Sequence, residues 1–453
     1  MSDAGAARSN GFINLLQEFS IPLLGGVAVA LVAANLAPDW YHHVVHGKPL
    51  GDISLLGHPV TVHFLVNDIF MVFFFGIAAK EITEACLPGG NLNPPAKAVN
   101  PLLATLGGVV GPIAVFFIGL WLAFQLGMYQ APGDDWGQIQ RGWGVPTATD
   151  IALAWLVARS VFGKGHPAIN FLLLLAVADD AIGLVIIAVF YGDPSVPARP
   201  EFLALLAAGV GVAWAMRRAG VQSWIPYIAV AGPLAWCGLI LAHLHPALAL
   251  VPIVPFLPGP RRDVGLFVDG DEVTKMGEAL ASDLHIEHSA LHKFEHQLKL
   301  FVDFGLFFFA FANAGVAFAD IGALTWLILG SLVVGKTVGI TALGWLGMKL
   351  GFPLPDRMGM RELIMAGFVA ALGLTVALFV AGAAFVDPKL LGEAKMGALF
   401  SGFVGLLAIG IGRLLGMSKP AEARKSVTER TEPTPVSPAS EPPPVSTQAA
   451  PRD

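Results

Sequence analysis

Residues 171–191 read FLLLLAVADDAIGLVIIAVFY, an apolar run with Asp179 and Asp180 side by side near its middle. A helix needs about 20 apolar residues to cross a bilayer, and the lipid core offers no water to unpaired backbone groups. The run is long enough, and a helix satisfies its own backbone. An ionised carboxylate at that depth costs about 3 kcal/mol or more, and two adjacent ones repel each other. Such a pair marks an ion or proton site by default and points toward cation/proton exchange.

The rest of the chain supports a membrane reading. Of 453 residues, 55% are hydrophobic and 13% charged, against about 25% charged in soluble domains. A multi-domain soluble protein is excluded on that balance. The net charge of −6 suggests no partner, and no basic patch suits a nucleic acid. Cys86 and Cys237 give neither a disulfide framework nor a zinc spacing. No HExxH motif is present, and no cofactor is expected.

Hydropathy predicts an all-α polytopic membrane protein with about twelve spans, near 18–37, 59–84, 98–128, 143–160, 168–191, 200–217, 224–240, 242–258, 297–318, 323–350, 361–385 and 391–416. Arg159, Lys164, Arg217, Arg218, Arg261, Arg262, Lys349, Arg357, Arg361 and Arg413 fall on one side, and Lys48, Arg141, Arg199, Lys389 and Lys395 on the other. This bias places both termini in the cytoplasm. The domain reading is a cytoplasmic N-terminal segment (1–17), a transmembrane domain (18–416) with a long cytoplasmic loop (259–296), and a Pro-rich tail (417–453) expected to be disordered. In that loop and its exit, His285, His288, His292 and His296 share one helical face. That spacing suits a metal, a pH-responsive face or a plain solvated helix.

Residues 143–150 read WGVPTATD, and Gly144 and Pro146 disrupt helical hydrogen bonding at membrane depth. Unwound backbone survives there only under cover of protein or water, so a broken helix is expected, with Thr149 and Asp150 at the break. Residues 373–375 (GLT) are a second candidate break, carrying Thr375. Paired interrupted segments in two halves of a chain point to a transporter's binding site and to an inverted repeat. Lys336 lies inside the tenth span and needs a partner, for which the fifth-span carboxylates are candidates. Residues 330–337 (GSLVVGKT) match the phosphate-loop pattern literally. The match is rejected, because that pattern needs a strand before it and an exposed loop. No nucleotide partner is expected. Gly107, Gly108 and Gly111 suit close helix packing.

Together, 142–155 (GWGVPTATDIALAW), 175–191 (LAVADDAIGLVIIAVFY), 309–316 (FAFANAGV), 334–340 (VGKTVGI) and the GLT break resemble the NhaA-type sodium/proton antiporter family over roughly 18–416. The resemblance implies inverted repeats with two crossed broken helices. It implies that Asp180 is the principal cation ligand with Asp179 beside it. Lys336 would pair with Asp179 and compete with the cation. Thr149 and Asp150 would sit at the helix crossing, offsetting terminal dipoles. Asp68 matches an aspartate near the site, and Glu81, His245 and Glu295 match residues linked to the ion path and pH response. The implied partners are Na+, Li+, H+, the lipid bilayer of a bacterial inner membrane and a second copy of the chain. Exchange would be electrogenic and pH-regulated. The chain departs from the family's usual GLEVKRE-like run, having AAKEITEA at 78–85. The alternatives are a sodium-coupled organic anion symporter of similar fold and, from another class, a membrane ATPase using 330–337.

Overall fold

The computed structural model describes residues 20–49, 51–87, 95–129, 135–192, 197–259, 289–355 and 357–417. These residues are almost all helical. The helices are α1 (Ile21–Leu36), α2 (Pro38–His46), α3 (Val62–Cys86), α4 (Pro95–Gln125), α5 (Trp136–Thr147), α6 (Ile151–Phe162), α7 (Pro167–Phe190), α8 (Pro200–Arg218), α9 (Tyr227–Leu241), α10 (Ala290–Asn313), α11 (Ala323–Lys349), α12 (Met360–Val369), α13 (Leu374–Ala384) and α14 (Pro388–Leu414). One two-stranded hairpin, β1 (Ser54–Leu55) and β2 (His58–Pro59), joins α2 to α3.

Six helices among the described residues are long and apolar enough to cross a membrane. Two bent pairs, α5 with α6 at 50° and α12 with α13 at 49°, bring the number to eight if each pair counts as one span. The chain is a multi-pass, all-α membrane protein. Its outer surface fits that solvent: Ile118, Trp121, Val185, Val189, Phe403 and Leu406 are exposed and apolar.

The eighth expected span, 242–258, is not a regular helix. Its short 3-10 turns, Pro246–Leu248 and Val254–Phe256, are joined by further i→i+3 bonds. Pro246, Pro252 and Pro255 lack the donors an α-helix there would need. The ninth expected span, α10, begins earlier than 297. Ser289 caps it by accepting from His292 N at 3.1 Å, so His292, Glu295 and His296 belong to α10 rather than to a loop. His285 and His288, the remainder of the loop to 288, segment 1–17 and the tail from 418 lie outside the described residues.

The glycines of α4 and α11 explain the closest helix contact. A Cβ on Gly107 would come within 2.0 Å of the Gly339 carbonyl, and one on Gly111 within 2.2 Å of the Gly335 carbonyl. Only glycine lets the two backbones approach this closely. That approach holds α11, and Lys336 on it, against the centre of the molecule. Residues 330–337 are helical throughout, ending in a π-turn at Ser331–Lys336, so the phosphate-loop pattern forms no loop.

Candidate functional site

The sequence around 144–150 breaks its helix for an identifiable reason. α5 tightens from an α-turn into a 3-10 helix at Gln140–Thr147, where Pro146 removes a donor. Tyr191, at the end of α7, covers the exposed backbone: its hydroxyl accepts from Gly144 N at 2.8 Å and donates to the Arg141 carbonyl at 2.7 Å. A side chain on Gly144 would occupy that hydroxyl's place, 2.5 Å away. Ala148 is extended, and Asp150 then caps α6, its Oδ1 accepting from Leu153 N at 3.1 Å.

The second break spans 370–373, between α12 and α13. Ser401 of α14 covers it by accepting from Gly373 N at 3.2 Å. Thr375 therefore sits in the first turn of α13, two residues past the break rather than in it.

The two breaks touch. Asp150 N donates to the Leu372 carbonyl at 2.6 Å, and Thr149 Oγ1 lies 3.0 Å from the Ala370 carbonyl. Asp150 Oδ2 accepts from Thr375 N at 3.2 Å and from Thr375 Oγ1 at 2.8 Å. One carboxylate thus meets the N-termini of both α6 and α13. Partial positive charge gathers at helix N-termini, so a buried anion is stabilised there by two sets of amide dipoles.

The fifth span, α7, brings Asp179 and Asp180 to this crossing. Asp179 and Lys336 are fully buried and ion-paired through Asp179 Oδ2. Lys336 Nζ also donates to Thr149 Oγ1 at 2.6 Å, and Thr149 Oγ1 lies 2.7 Å from the same Asp179 oxygen. The threonine hydroxyl has one proton, so it donates either to Asp179 or to the Ala370 carbonyl. Asp179 Oδ1 and Asp180 Oδ1 are buried and have no hydrogen-bond partner among the described residues. Buried oxygens of this kind are costly unless something else ligates them.

Asp180 lines a cavity of about 620 Å³ together with Thr149, Asp150, Thr375 and Glu81. Exposed Lys164 and Lys299 also line the cavity, as do Glu295 and Asp303 of α10. Glu295 is not a free carboxylate. It pairs with Lys80 of α3, and Lys80 also holds Glu84 at 2.7 Å. Lys80 was not among the site residues expected from sequence, although its buried position on α3 makes it the centre of that network.

Asp68 and His245 lie elsewhere. They line a smaller cavity of about 220 Å³ with His58, Tyr191 and His243. His245 Nδ1 and Asp68 Oδ1 are 4.0 Å apart. Val376 of α13 borders the large cavity and Gly382 of the same helix borders the small one. Between them, buried Phe379 packs on Phe75, with ring centroids 4.9 Å apart, and on His245, at 4.5 Å. The ten expected residues therefore divide. Asp179, Asp180, Thr149, Asp150, Lys336 and Thr375 converge on one centre, and Glu81 and Glu295 line its approach. Asp68 and His245 stand behind the phenylalanine layer. Phe75, Phe379 and Tyr191 carry no sequence signal beyond being aromatic residues in apolar runs.

The chain is similar to known proteins along most of its length. The sequence profile of the family described as "Na+/H+ antiporter 1" matches residues 11–412. The chain is 55% identical over 407 residues to "Na(+)/H(+) antiporter NhaA 1" of Pelobacter propionicus, covering 90% of this chain and 98% of that protein. It is 56% identical over 407 residues to "Na(+)/H(+) antiporter NhaA" of Geobacter sulfurreducens, with the same coverage. A Desulfitobacterium hafniense protein of that name is 56% identical over 408 residues, covering 90% of this chain and 97% of the relative.

Proposed function

The chain belongs to the Na+/H+ antiporter 1 family, and on that footing we propose that it exchanges Na+ for protons at the Asp179–Asp180 pair. The observation that carries this reading is the pair's unequal surroundings. Asp179 is held by Lys336 and Thr149, whereas Asp180 faces the large cavity with a buried, unpartnered oxygen.

The mechanism follows from competition for those oxygens. Two carboxylates and one lysine share the site, so protons, Lys336 and an arriving cation contend for the same few oxygens. A sodium ion arriving through the large cavity offers the alternative compensation. It binds Asp180 and the free oxygen of Asp179, displaces protons and weakens the grip of Lys336 on Asp179. Only one kind of cation then satisfies the pair at a time, so each crossing carries either Na+ or protons. The crossing of α5–α6 with α12–α13 suits movement, because unwound backbone between half-helices absorbs changes in direction. Asp150 stays fixed at two helix N-termini and keeps the crossing neutral enough to remain buried.

The face rich in Lys and Arg is taken as cytoplasmic, which puts both termini inside and the large cavity open to the cytoplasm in a bacterial inner membrane. Protons moving inward then drive Na+ outward, with more protons than sodium ions per cycle. Li+ is accepted as well, since it is also a hard cation suited to carboxylate oxygens. In everted membrane vesicles containing this protein and acidified by respiration, adding Na+ or Li+ should restore the fluorescence of an acridine dye. K+ should restore little. A response no larger than that of vesicles lacking the protein would refute the exchange reading.

A further inference from the structure

On the side of the molecule away from the large cavity, three imidazoles form a ladder. His42 and His46 stand one turn apart on α2, with ring centroids 4.9 Å apart, and His46 lies 5.2 Å from His63 in the first turn of α3. His42 and His46 are exposed and His63 is half-buried, so the ladder runs from water toward the protein.

Below His63 lies a chain of amides whose orientation has one solution. Asn313 of α10 directs its Nδ2 to the Phe309 carbonyl at 3.0 Å, and a carbonyl only accepts. Asn313 therefore presents that NH2 to Asn67 Oδ1 as well, at 2.8 Å. Asn67 must then turn its own NH2 toward His63 Nε2, at 2.8 Å, and toward Asn313 Oδ1, at 3.3 Å. His63 Nε2 is left with one role, that of acceptor, so the imidazole is neutral with its proton on Nδ1. A proton on Nε2 would set donor against donor. Flipping Asn67 to receive it would break the match with Asn313, and flipping Asn313 would set oxygen against the Phe309 carbonyl.

The charges around His63 act in the same direction. The titratable groups that bear on His63 are Lys395 on α14, His46 on α2 and His245 beyond α9, and all are basic. From α10 the facing group is the neutral Asn313, and on α3 itself Asp68 lies beyond Asn67, toward the small cavity. A cation at His63 gains no opposing charge from these neighbours.

We propose that His63 is a second proton-binding site, separate from the aspartate pair, and that its protonation unlatches α3 from α10 on this face. The amide chain is the latch, and the imidazole ladder connects it to water. The proposal does not depend on transport, and its test reads folding rather than exchange. The purified full-length chain is heated in detergent at about pH 8 and about pH 5.5, on either side of the ordinary imidazole range. His63→Gln offers a non-titrating carbonyl in place of Nε2, and His63→Lys a permanent donor. Acid should lower the wild-type unfolding temperature by several degrees more than it lowers that of His63→Gln. His63→Lys should unfold early at both values. Where His63→Lys does not accumulate, hydrogen exchange of the 309–313 backbone supplies the second readout. Corrected for intrinsic rates, it should speed up in acid for wild type and not for His63→Gln. Parallel wild-type and His63→Gln profiles in either measurement would overturn the proposal.

Discussion

Asp180→Asn should abolish sodium-dependent proton movement while leaving the fold intact. Asparagine keeps the shape of the side chain and removes its charge. Among the described residues, the wild-type Asp180 Oδ1 has no hydrogen bond to lose. What disappears is the charged ligand and the titrating proton together. A hydrogen bond or ligand contact to a charged group is worth about 3 kcal/mol at the upper end of the usual range, or ~100-fold in affinity. Loss of the exchangeable proton removes the coupling as well. The measurement is dye fluorescence in everted vesicles at matched protein levels, with Na+ raised at least ~100-fold above the wild-type half-maximal value to look for residual activity. Unfolding temperature should stay within a few degrees of wild type or rise, because a costly buried charge has been removed.

Lys336→Ala should act differently, on stability first. Lys336 and Asp179 are both fully buried, and their mutual contact is the main compensation for each. Removing one partner of a buried ion pair costs about 3–5 kcal/mol, because the other charge is left without compensation. Neutralising both members together leaves no uncompensated charge and costs less. The double variant Lys336→Ala with Asp179→Asn should therefore be more stable than Lys336→Ala alone, a reversal that additive effects do not produce. Thermal unfolding of the four proteins in detergent measures this coupling. In vesicles, Lys336→Ala should also lose the voltage dependence of exchange, because Asp179 retains its proton when its cationic partner is gone.

The sequence made the broad outline legible. The apolar runs announced the spans, and Asp179, Asp180 and Lys336 stood out because charge is rare at that depth. The WGVPTATD segment announced a break because proline and glycine act on their own backbone, whatever the tertiary context. Local chemistry fails where structure depends on distant partners. Tyr191 covers the Gly144 break from another helix, and nothing near Gly144 in the chain says so. Glu295 and Lys80 meet across α3 and α10, which turns a candidate free carboxylate into half of an ion pair. The division of Asp68 and His245 from Glu81 and Glu295 follows from where Phe75 and Phe379 pack, and an apolar run does not reveal which of its aromatics separate two cavities. The run at 242–258 is apolar enough for a span yet forms only 3-10 turns, because hydropathy ignores the prolines within it.

If sodium and protons compete for the Asp179–Asp180 pair, adding sodium releases protons, and that release is the most direct measure of the competition. Purified protein is held in weakly buffered detergent solution at mildly alkaline pH, and NaCl or KCl is added with a pH electrode or dye as readout. Na+ should release protons from wild type in proportion to protein, K+ should release few, and Asp180→Asn should release none. Equal release from wild type and Asp180→Asn, or none from an actively exchanging wild type, would contradict it.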